Sequence, residues 1–404
     1  MTTSRHAIIA GAGIGGLTAA LMLAEAGFRI TILERAAAIQ EAGAGLQLSP
    51  NATAILARLG IIEKLAGLAV TPDRLRIRRA SSGSDIIRLP LGPMAELRWG
   101  APMLVVHRAD LQSALLSRVA QDARIDLRTG VTVSGFVASP DRVSVATLKD
   151  FKQAHIDGDL LLGADGANSV IRSRLGLGFG DKLHYSGRTA WRALISGENA
   201  PEFALKLETS LWLGAHAHLV HYPLREGAVV NIVAITNEDW RNSDSESFWS
   251  EPGDPSQLLR RFAGWHSEAR RLIGAATEWR RWPLFDRNPI SRWTISRVAL
   301  LGDAAHPMLP FFAQGAAQAI EDAAALGSAF SPNDSKETPD IASGLSVYER
   351  KRVQRAARVQ RASRQQGVIY HLPGLAGMAR DVSMRMVGVE GMMSKLDWLY
   401  GYRE

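Results

Sequence analysis

Apolar residues recur along this chain in two periods, one of helices and one of strands, and the changes of period mark the elements. A short apolar run from Ala7 predicts a buried strand; Gly11, Gly13 and Gly16 follow, and small and apolar residues then recur at helical spacing until Gly27. Ile30, Ile32 and Leu33 predict a second buried strand ending on Glu34. Residues 42–51, AGAGLQLSPN, read as a glycine-rich loop running through Ser49-Pro50-Asn51 into a helix. Between 71 and 99, LRIRRA and DIIRLP alternate around Ser-Ser-Gly and predict a hairpin of a second sheet. MLVVHRADLQSALLSRVA then gives an extended run and an amphipathic helix beginning near Asp110, and residues 131–148 a meander of antiparallel strands.

In LLLGADGANSVIR, residues 160–172, an apolar strand ends in Gly163-Ala164-Asp165-Gly166 and a helix begins after Asn168. Residues 185–282 are β-rich, and LWLGAHAHLVHYPLREGAVVNIVAIT predicts a hairpin turning at Arg225-Glu226-Gly227. Period two puts His216, His218, Val220 and Tyr222 on one face and Ala217, Leu219 and His221 on the other. His218 and Tyr222 are then roughly 13 Å apart. From the residues alone they either flank one ring-sized ligand or stand on a solvated face. Residues 242–255 read as a polar loop before an Arg-rich helix. RVALLGDAAHPMLPFFAQGAAQAIEDAAALG predicts a strand over 298–301 ending in Gly302-Asp303, a prolyl loop, and a helix starting near Gln314-Gly315-Ala316. After the polar break SPNDSKETPD, helical patterns run to the end of the sequence.

Composition narrows the class. With 404 residues, 46% hydrophobic and 22% charged, the chain supports two domains with their own cores. No uninterrupted apolar run reaches membrane-spanning length, so no membrane partner is expected. With no cysteine there is no disulfide, thiolate metal ligand or Cys nucleophile; no metal site is expected, and the cytoplasm is the expected compartment. The net charge of +7 comes mostly from Arg spread along the chain. Its densest cluster, residues 348–364, reads as the solvated face of a long helix. Nucleic acid is therefore not expected, and the excess charge suits steering of anionic small molecules such as carboxylates and NAD(P)H.

The first motif carries the most specific chemistry. In G-x-G-x-x-G spacing, Gly11 permits the tight turn, Gly13 lets backbone N–H groups approach a pyrophosphate, and Gly16 allows close packing of helix on strand. The helix N-terminus adds unsatisfied donors and the positive dipole end. Glu34, 18 positions after Gly16, is placed to take the hydroxyls of an adenosine ribose. Arg35 can lie over the adenine or its phosphates, and Gln47 is the one side chain of its loop with hydrogen-bonding reach. Arg108 is a surface residue at a helix entry or a phosphate ligand. Asp165 ends a strand where open α/β sheets bind ligands, and Asp303 can accept hydrogen bonds from polyol hydroxyls.

GAGIGG with Glu34-Arg35, GADGANSVIR and GDAAHPMLPFFAQGAAQAIEDA, in this order and at these separations, resemble the single-component FAD-dependent aromatic hydroxylases related to salicylate hydroxylase, 3-hydroxybenzoate 6-hydroxylase and 6-hydroxynicotinate 3-monooxygenase. The likeness extends to TAWRAL around Arg192 and to the C-terminal LDWLYGY. The resemblance implies an α/β fold: a discontinuous Rossmann-like FAD-binding domain (1–75, 100–180 and 285–330), an inserted β-rich substrate domain (76–99 and 181–284), and C-terminal helices (340–404).

It also implies that Gly15, Glu34, Arg35 and Arg108 contact the ADP half of FAD, with Val131 beside the adenine; the loop that carries Gln47 either lies along the cofactor or is a plain connection. Asp303 would hold the ribitol, Gly315 and Ala316 would present N–H groups to the pyrimidine end of the flavin, and Asp165 is associated with FAD and NAD(P)H. Arg192, Pro310 and Phe311 would border the substrate, and His218 and Tyr222, in an H-x-x-x-Y-P segment with Pro223, would line its pocket. Some relatives carry a His where Gln47 stands, and another His or a Gln in the Pro310-Phe311 loop, so this pocket is expected to be more apolar.

The implied activity is NAD(P)H- and O2-dependent hydroxylation of a small phenolic aromatic or heteroaromatic acid through a flavin hydroperoxide. His218 would be the base, with an ordinary pKa near 6.5, and Tyr222 its hydrogen-bond partner. NADH or NADPH would bind transiently, since no second glycine fingerprint is present. Oxygenation of a purine such as urate, a non-catalytic flavin binder and a simple NAD-dependent dehydrogenase are the alternatives. A monomer or a homodimer is expected.

Overall fold

The computed structural model describes residues 4–39, 45–177, 182–240, 250–332 and 339–404. The continuous apolar runs read from the sequence are the central strands, buried on both faces, of a six-stranded sheet. Its order is Thr294–Ile295, Val298–Leu300, Leu160–Gly163, His6–Ala10, Arg29–Glu34 and Ile125–Thr129, parallel except for the first pair. His6–Ala10 leads through the helix Ile14–Glu25 to the strand on one side of it, while Leu160–Gly163 lies on the other. The strand order therefore reverses at His6–Ala10. At such a switch point the connections depart to opposite faces and leave a crevice beyond the carboxyl ends of the strands. The register lines those ends up: Ala10 pairs with both Leu33 and Gly163, and Gly163 with Leu300. All three glycine-bearing motifs thus emerge on one edge.

The alternating segments form the second large sheet, of eight strands. Its order is Glu251–Gly253, Trp279–Asp286, His184–Ser196, Val229–Asn237, Ala217–Leu224, Glu208–Gly214, Arg74–Arg79 and Asp85–Pro90. A three-stranded meander, Thr132–Ala138, Val143–Lys149 and Lys152–Gly158, flanks the first sheet. The C-terminal helices are Ile341–Tyr370, Gly374–Ser394, which is kinked at Gly388, and Asp397–Tyr400. The first of them crosses both layers: Tyr348 donates its hydroxyl to Leu300 O at 2.8 Å in the parallel sheet, and Arg364 pairs with Asp286 of the other sheet. No helix among the described residues is long and apolar enough to cross a membrane.

Three local expectations change. Within 42–51, Gly45–Leu48 is a strand rather than loop, antiparallel to Leu104–His107, a partner too distant along the chain to be read from local composition. Residues 42–44 of that stretch, and 242–249 of the expected polar loop, lie outside the described residues; Glu251–Gly253 is a short edge strand. The basic cluster at 348–364 is not simply a solvated face. Tyr348, Arg352, Ala356, Val359 and Ser363 recur at helical spacing and are buried, and Arg352 pairs with Glu321 and Asp322 of the helix Gly315–Phe330. Helical period places a residue, and here the facing helix supplies two carboxylates where an apolar neighbour would ordinarily stand.

Candidate active site

The crevice at the switch point is a groove of about 430 Å³ lined by Gly11, Gly13, Glu34, Arg35, Val131, Asp165 and Asn168, among others. Gly13, Ala164 and Gly166 also line a second cavity of about 330 Å³, so the two are continuous. The second cavity lies between the sheets and brings together Gly15, Gln47, Arg108, Arg192, His218, Tyr222, Asp303, Pro310, Gly315 and Ala316.

The turn after His6–Ala10 has no room for a side chain at Gly11 or at Gly16. A Cβ on Gly11, whose φ is +106°, would lie 2.4 Å from Ala164 O, and one on Gly16 would lie 2.1 Å from Gly11 O. At Gly13 nothing stands within 4 Å of where a Cβ would be. The helix Ile14–Glu25 has no capping side chain and no acid in its first turn, so its N-terminal donors are left for a ligand. Glu34 accepts from Ala12 N and Ala36 N, both at 2.9 Å, one through each oxygen. Each oxygen keeps a lone pair for a ribose hydroxyl. Arg35 is exposed at the groove edge, and Val131, whose N–H donates to Glu34 O at 2.9 Å, lines the groove wall.

Asp165 serves its own loop: its carboxylate accepts from Ser169 Oγ at 2.5 Å, Val170 N at 2.7 Å and Ile171 N at 3.2 Å, fixing the start of the helix Val170–Leu175. Asp303 projects exposed into the second cavity from a loop held behind it. There Asp322 accepts from Gly302 N at 2.9 Å and bonds His306 Nε2 at 2.6 Å. Burial opposes ionisation of Asp322, but His306 and Arg352 outweigh it and hold the carboxyl down at about 2. Gly315 and Ala316 open the helix Gly315–Phe330, which has no capping side chain; Ala313 before it takes the left-handed conformation, φ +52°, to turn the chain into the cavity.

One face of the eight-stranded sheet forms the other wall. Cross-strand register puts Arg192, Val233 and Val220 in one row, Ile235 and His218 in the next, and Asn231 and Tyr222 in the row on the other side. From strand spacing and rise, Arg192 stands about 12 Å from His218, Cα to Cα. The wall is not solvated: His218 and Tyr222 are each 3% exposed. His216 does not share it. It sits at φ +60° just before the strand and is exposed, because the hairpin turns there. Phe311 stands behind this wall, with its ring centroid 5.6 Å from that of His218 and the guanidinium of Arg188 over it. Pro310 faces the cavity.

Arg192 is half-buried, and its Nε is enclosed with no hydrogen-bond partner among the described residues. Desolvation lowers its affinity for the proton and Arg108 lowers it further, so an anion beside it would be stabilised. Burial raises the Tyr222 hydroxyl above its ordinary value, leaving it a neutral phenol that packs against Gly45, whose N–H donates to Asn231 Oδ1 at 2.8 Å.

Sequence reasoning did not find His371 and Asn237. His218 Nδ1 lies 2.7 Å from His371 Nε2, and His371 Nδ1 lies 2.8 Å from Asn237 Oδ1. His371 closes the helix Ile341–Tyr370, far from His218 in sequence, and no motif surrounds it. Burial lowers both histidines, His218 well below its ordinary value and His371 to about 3. No cluster of metal-ligating side chains occurs among the described residues.

The FAD binding domain family matches residues 5–363. The 3-hydroxybenzoate 6-hydroxylase of Polaromonas naphthalenivorans (strain CJ2) is 36% identical over 395 residues, 98% of this chain and 95% of the relative. The 6-hydroxynicotinate 3-monooxygenase of Bordetella bronchiseptica is 34% identical over 374 residues, 89% and 90% of the two chains. The structure of Klebsiella pneumoniae HpxO complexed with FAD and uric acid superposes with a TM-score of 0.83 at 27% identity, covering 97% of this chain and 95% of that one. A groove with a glycine turn open at Gly13, an uncapped helix N-terminus and a terminal carboxylate fits FAD, and the chain belongs to the FAD binding domain family as an FAD-dependent, NAD(P)H-consuming aromatic monooxygenase.

Proposed function

We propose that this enzyme hydroxylates a small phenolic aromatic acid whose carboxylate is held by Arg192 and whose hydroxyl faces His218. The observation that carries the reading is Arg192, which lines the cavity with its Nε making no hydrogen bond among the described residues, on the same sheet face as His218 and Tyr222. FAD, when bound, supplies electron storage from NAD(P)H and activation of O2.

The residues divide the remaining work. The N-terminus of Ile14–Glu25, with Glu34 and Arg35, would hold the ADP end, Asp303 the ribitol, and Gly315 and Ala316 the pyrimidine edge; Gln47 and Arg108 line the same cavity. Val220, Val233, Ile235, Met308 and Pro310 exclude water from the reacting ring. His218 Nε2 takes the phenolic proton, since a phenolate is the better nucleophile toward oxygen, and Tyr222 hydrogen-bonds the ring substituents. We further propose that the chain divides into domains along its two large sheets and works in the cytoplasm, where NAD(P)H is regenerated.

The test is NADH and NADPH consumption by the flavin-loaded enzyme over hydroxybenzoates, hydroxypyridine carboxylates and urate, with mass spectrometry for one oxygen atom from 18O2. One hydroxylated aromatic acid supports the reading. Turnover of urate alone would replace it with the heterocycle reading, in which Arg192 and Gln47 contact the ring's own oxygens and nitrogens.

A further inference from the structure

His218 does not stand alone, and what lies behind it determines which ring nitrogen carries a proton. Its Nδ1 bonds His371 Nε2 at 2.7 Å, and His371 Nδ1 in turn bonds Asn237 Oδ1 at 2.8 Å. An amide oxygen only accepts, so His371 Nδ1 donates to it. A neutral His371 then has its lone pair on Nε2, and His218 must donate Nδ1–H to it. Nε2 of His218 is left as the ring nitrogen with a lone pair, on the side chain that lines the cavity. With the amide reversed, every proton in the row would reverse and His218 would present N–H, not a lone pair.

We infer that His371 and Asn237 are positioning residues which set the tautomer of His218 and share the proton it removes from the substrate. This rests on the assignment of His218 as the base. The protons balance as follows. The substrate O–H breaks, its proton bonds to His218 Nε2, and the Nδ1 proton of His218 passes to His371 Nε2. The products are a phenolate, a neutral His218 protonated on Nε2, and a His371 imidazolium still donating to Asn237. No charge is created overall, and the positive charge moves one residue away from the reacting ring.

The surroundings explain why the row waits in its neutral form. His371 is faced by Arg188, by His216 and by Arg380 of the helix Gly374–Ser394, and His218 by Arg188; all of these oppose a second positive charge. Phe311 and Tyr370 enclose the His218 ring, with centroids at 5.6 and 5.3 Å. A phenolate in the cavity supplies the missing negative charge. His371 also caps the C-terminus of Ile341–Tyr370, the negative end of that helix dipole, which favours an imidazolium there.

Three variants of the flavin-loaded enzyme test this, with 3-hydroxybenzoate as the probe or, if it is not turned over, the aromatic acid that is. His371→Phe keeps a ring but removes the acceptor for Nδ1–H, and is expected to slow oxygen insertion about tenfold or more while leaving flavin reduction by NADH unchanged. His371→Gln keeps an acceptor oxygen at that position but no base, so it is expected to restore the tautomer and recover only part of the loss. Asn237→Asp, at an exposed strand end, puts a carboxylate behind the row and is expected to move the acidic limb of the pH profile for oxygen insertion up by about one unit.

Independently of turnover, 15N-histidine spectra are expected to show the proton of His218 on Nδ1 in the parent and redistributed in His371→Phe. Parent-like rates in His371→Phe with an unmoved limb in Asn237→Asp would overturn the inference, as would equal losses in His371→Phe and His371→Gln. His218→Phe separates the two levels: undiminished oxygen insertion in that variant would remove His218 as the base, whatever its neighbours do.

Discussion

Replacing Arg352 by Met removes a fully buried cation that the helix Ile341–Tyr370 sends into the centre of the protein. Arg352 is fully buried and donates to Glu321, to Asp322 Oδ1 at 2.7 Å and to Gln318 Oε1 at 2.8 Å. The two carboxylates are not equally exposed to the loss. Glu321 keeps Arg355, at 2.5 and 2.7 Å, together with Asn51 and Gln318. Asp322 keeps only Gly302 N–H and His306. Breaking a buried pair from one side costs about 3–5 kcal/mol, because the other charge is left uncompensated. Asp322 keeps hydrogen bonds to Gly302 N and His306, which places the expected loss toward the lower end of that range, about 3 kcal/mol.

Adding Asp322→Asn removes the stranded charge and keeps the shape. The double variant is therefore expected to be more stable than Arg352→Met alone, with a coupling of about 1–3 kcal/mol. Urea unfolding of the holoenzyme at fixed FAD, followed by tryptophan fluorescence and circular dichroism, measures both. A loss below about 1 kcal/mol in Arg352→Met, or losses that simply add in the double variant, would refute the account of this network.

Other outcomes follow from the same geometry. Gly16→Ala places a methyl 2.1 Å from Gly11 O, so the turn must open, and FAD affinity measured by flavin fluorescence is expected to fall roughly tenfold or more. Arg192→Met is expected to raise KM for aromatic acids about 10- to 100-fold, the loss of a charge-assisted hydrogen bond, while a neutral phenol of the same shape is unaffected in steady-state assays. Asp322, held at about 2 against an ordinary 3.8, contributes stability that is complete above the ordinary value and disappears as pH falls through about 2. Stability is thus expected to drop by on the order of 2 kcal/mol between about pH 4 and pH 2 beyond the drop seen in Asp322→Asn, as urea midpoints would show.

Much of this protein is legible before folding. The strand, turn and helix around Gly11, Gly13 and Gly16 follow from local sterics: a chain that must turn within van der Waals reach of Ala164 O admits no Cβ. Glu34, Asp165 and Asp303 end apolar strands, and strand ends of a parallel sheet must meet at one edge, so their gathering was implied by their pattern. The pairing of His218 with Tyr222 on one face was implied by period two.

What the pattern did not contain is the identity of the neighbour across a long loop. Nothing near Gly45 announces that it pairs with His107, nothing near Arg352 says that its helical face meets Glu321 and Asp322, and nothing near His371 says that it ends against His218. Asp165, read from sequence as a ligand contact, also holds the start of its own helix. Periodicity and steric rules act over one or two turns of chain, so the sequence alone determined most of the elements, the nucleotide turn and the sheet edge at which the glycine-bearing motifs gather. Which side chains face one another across the cavity depends on the packing of helices and sheets far apart in the chain, and only the tertiary structure decided that His218 has a second histidine behind it.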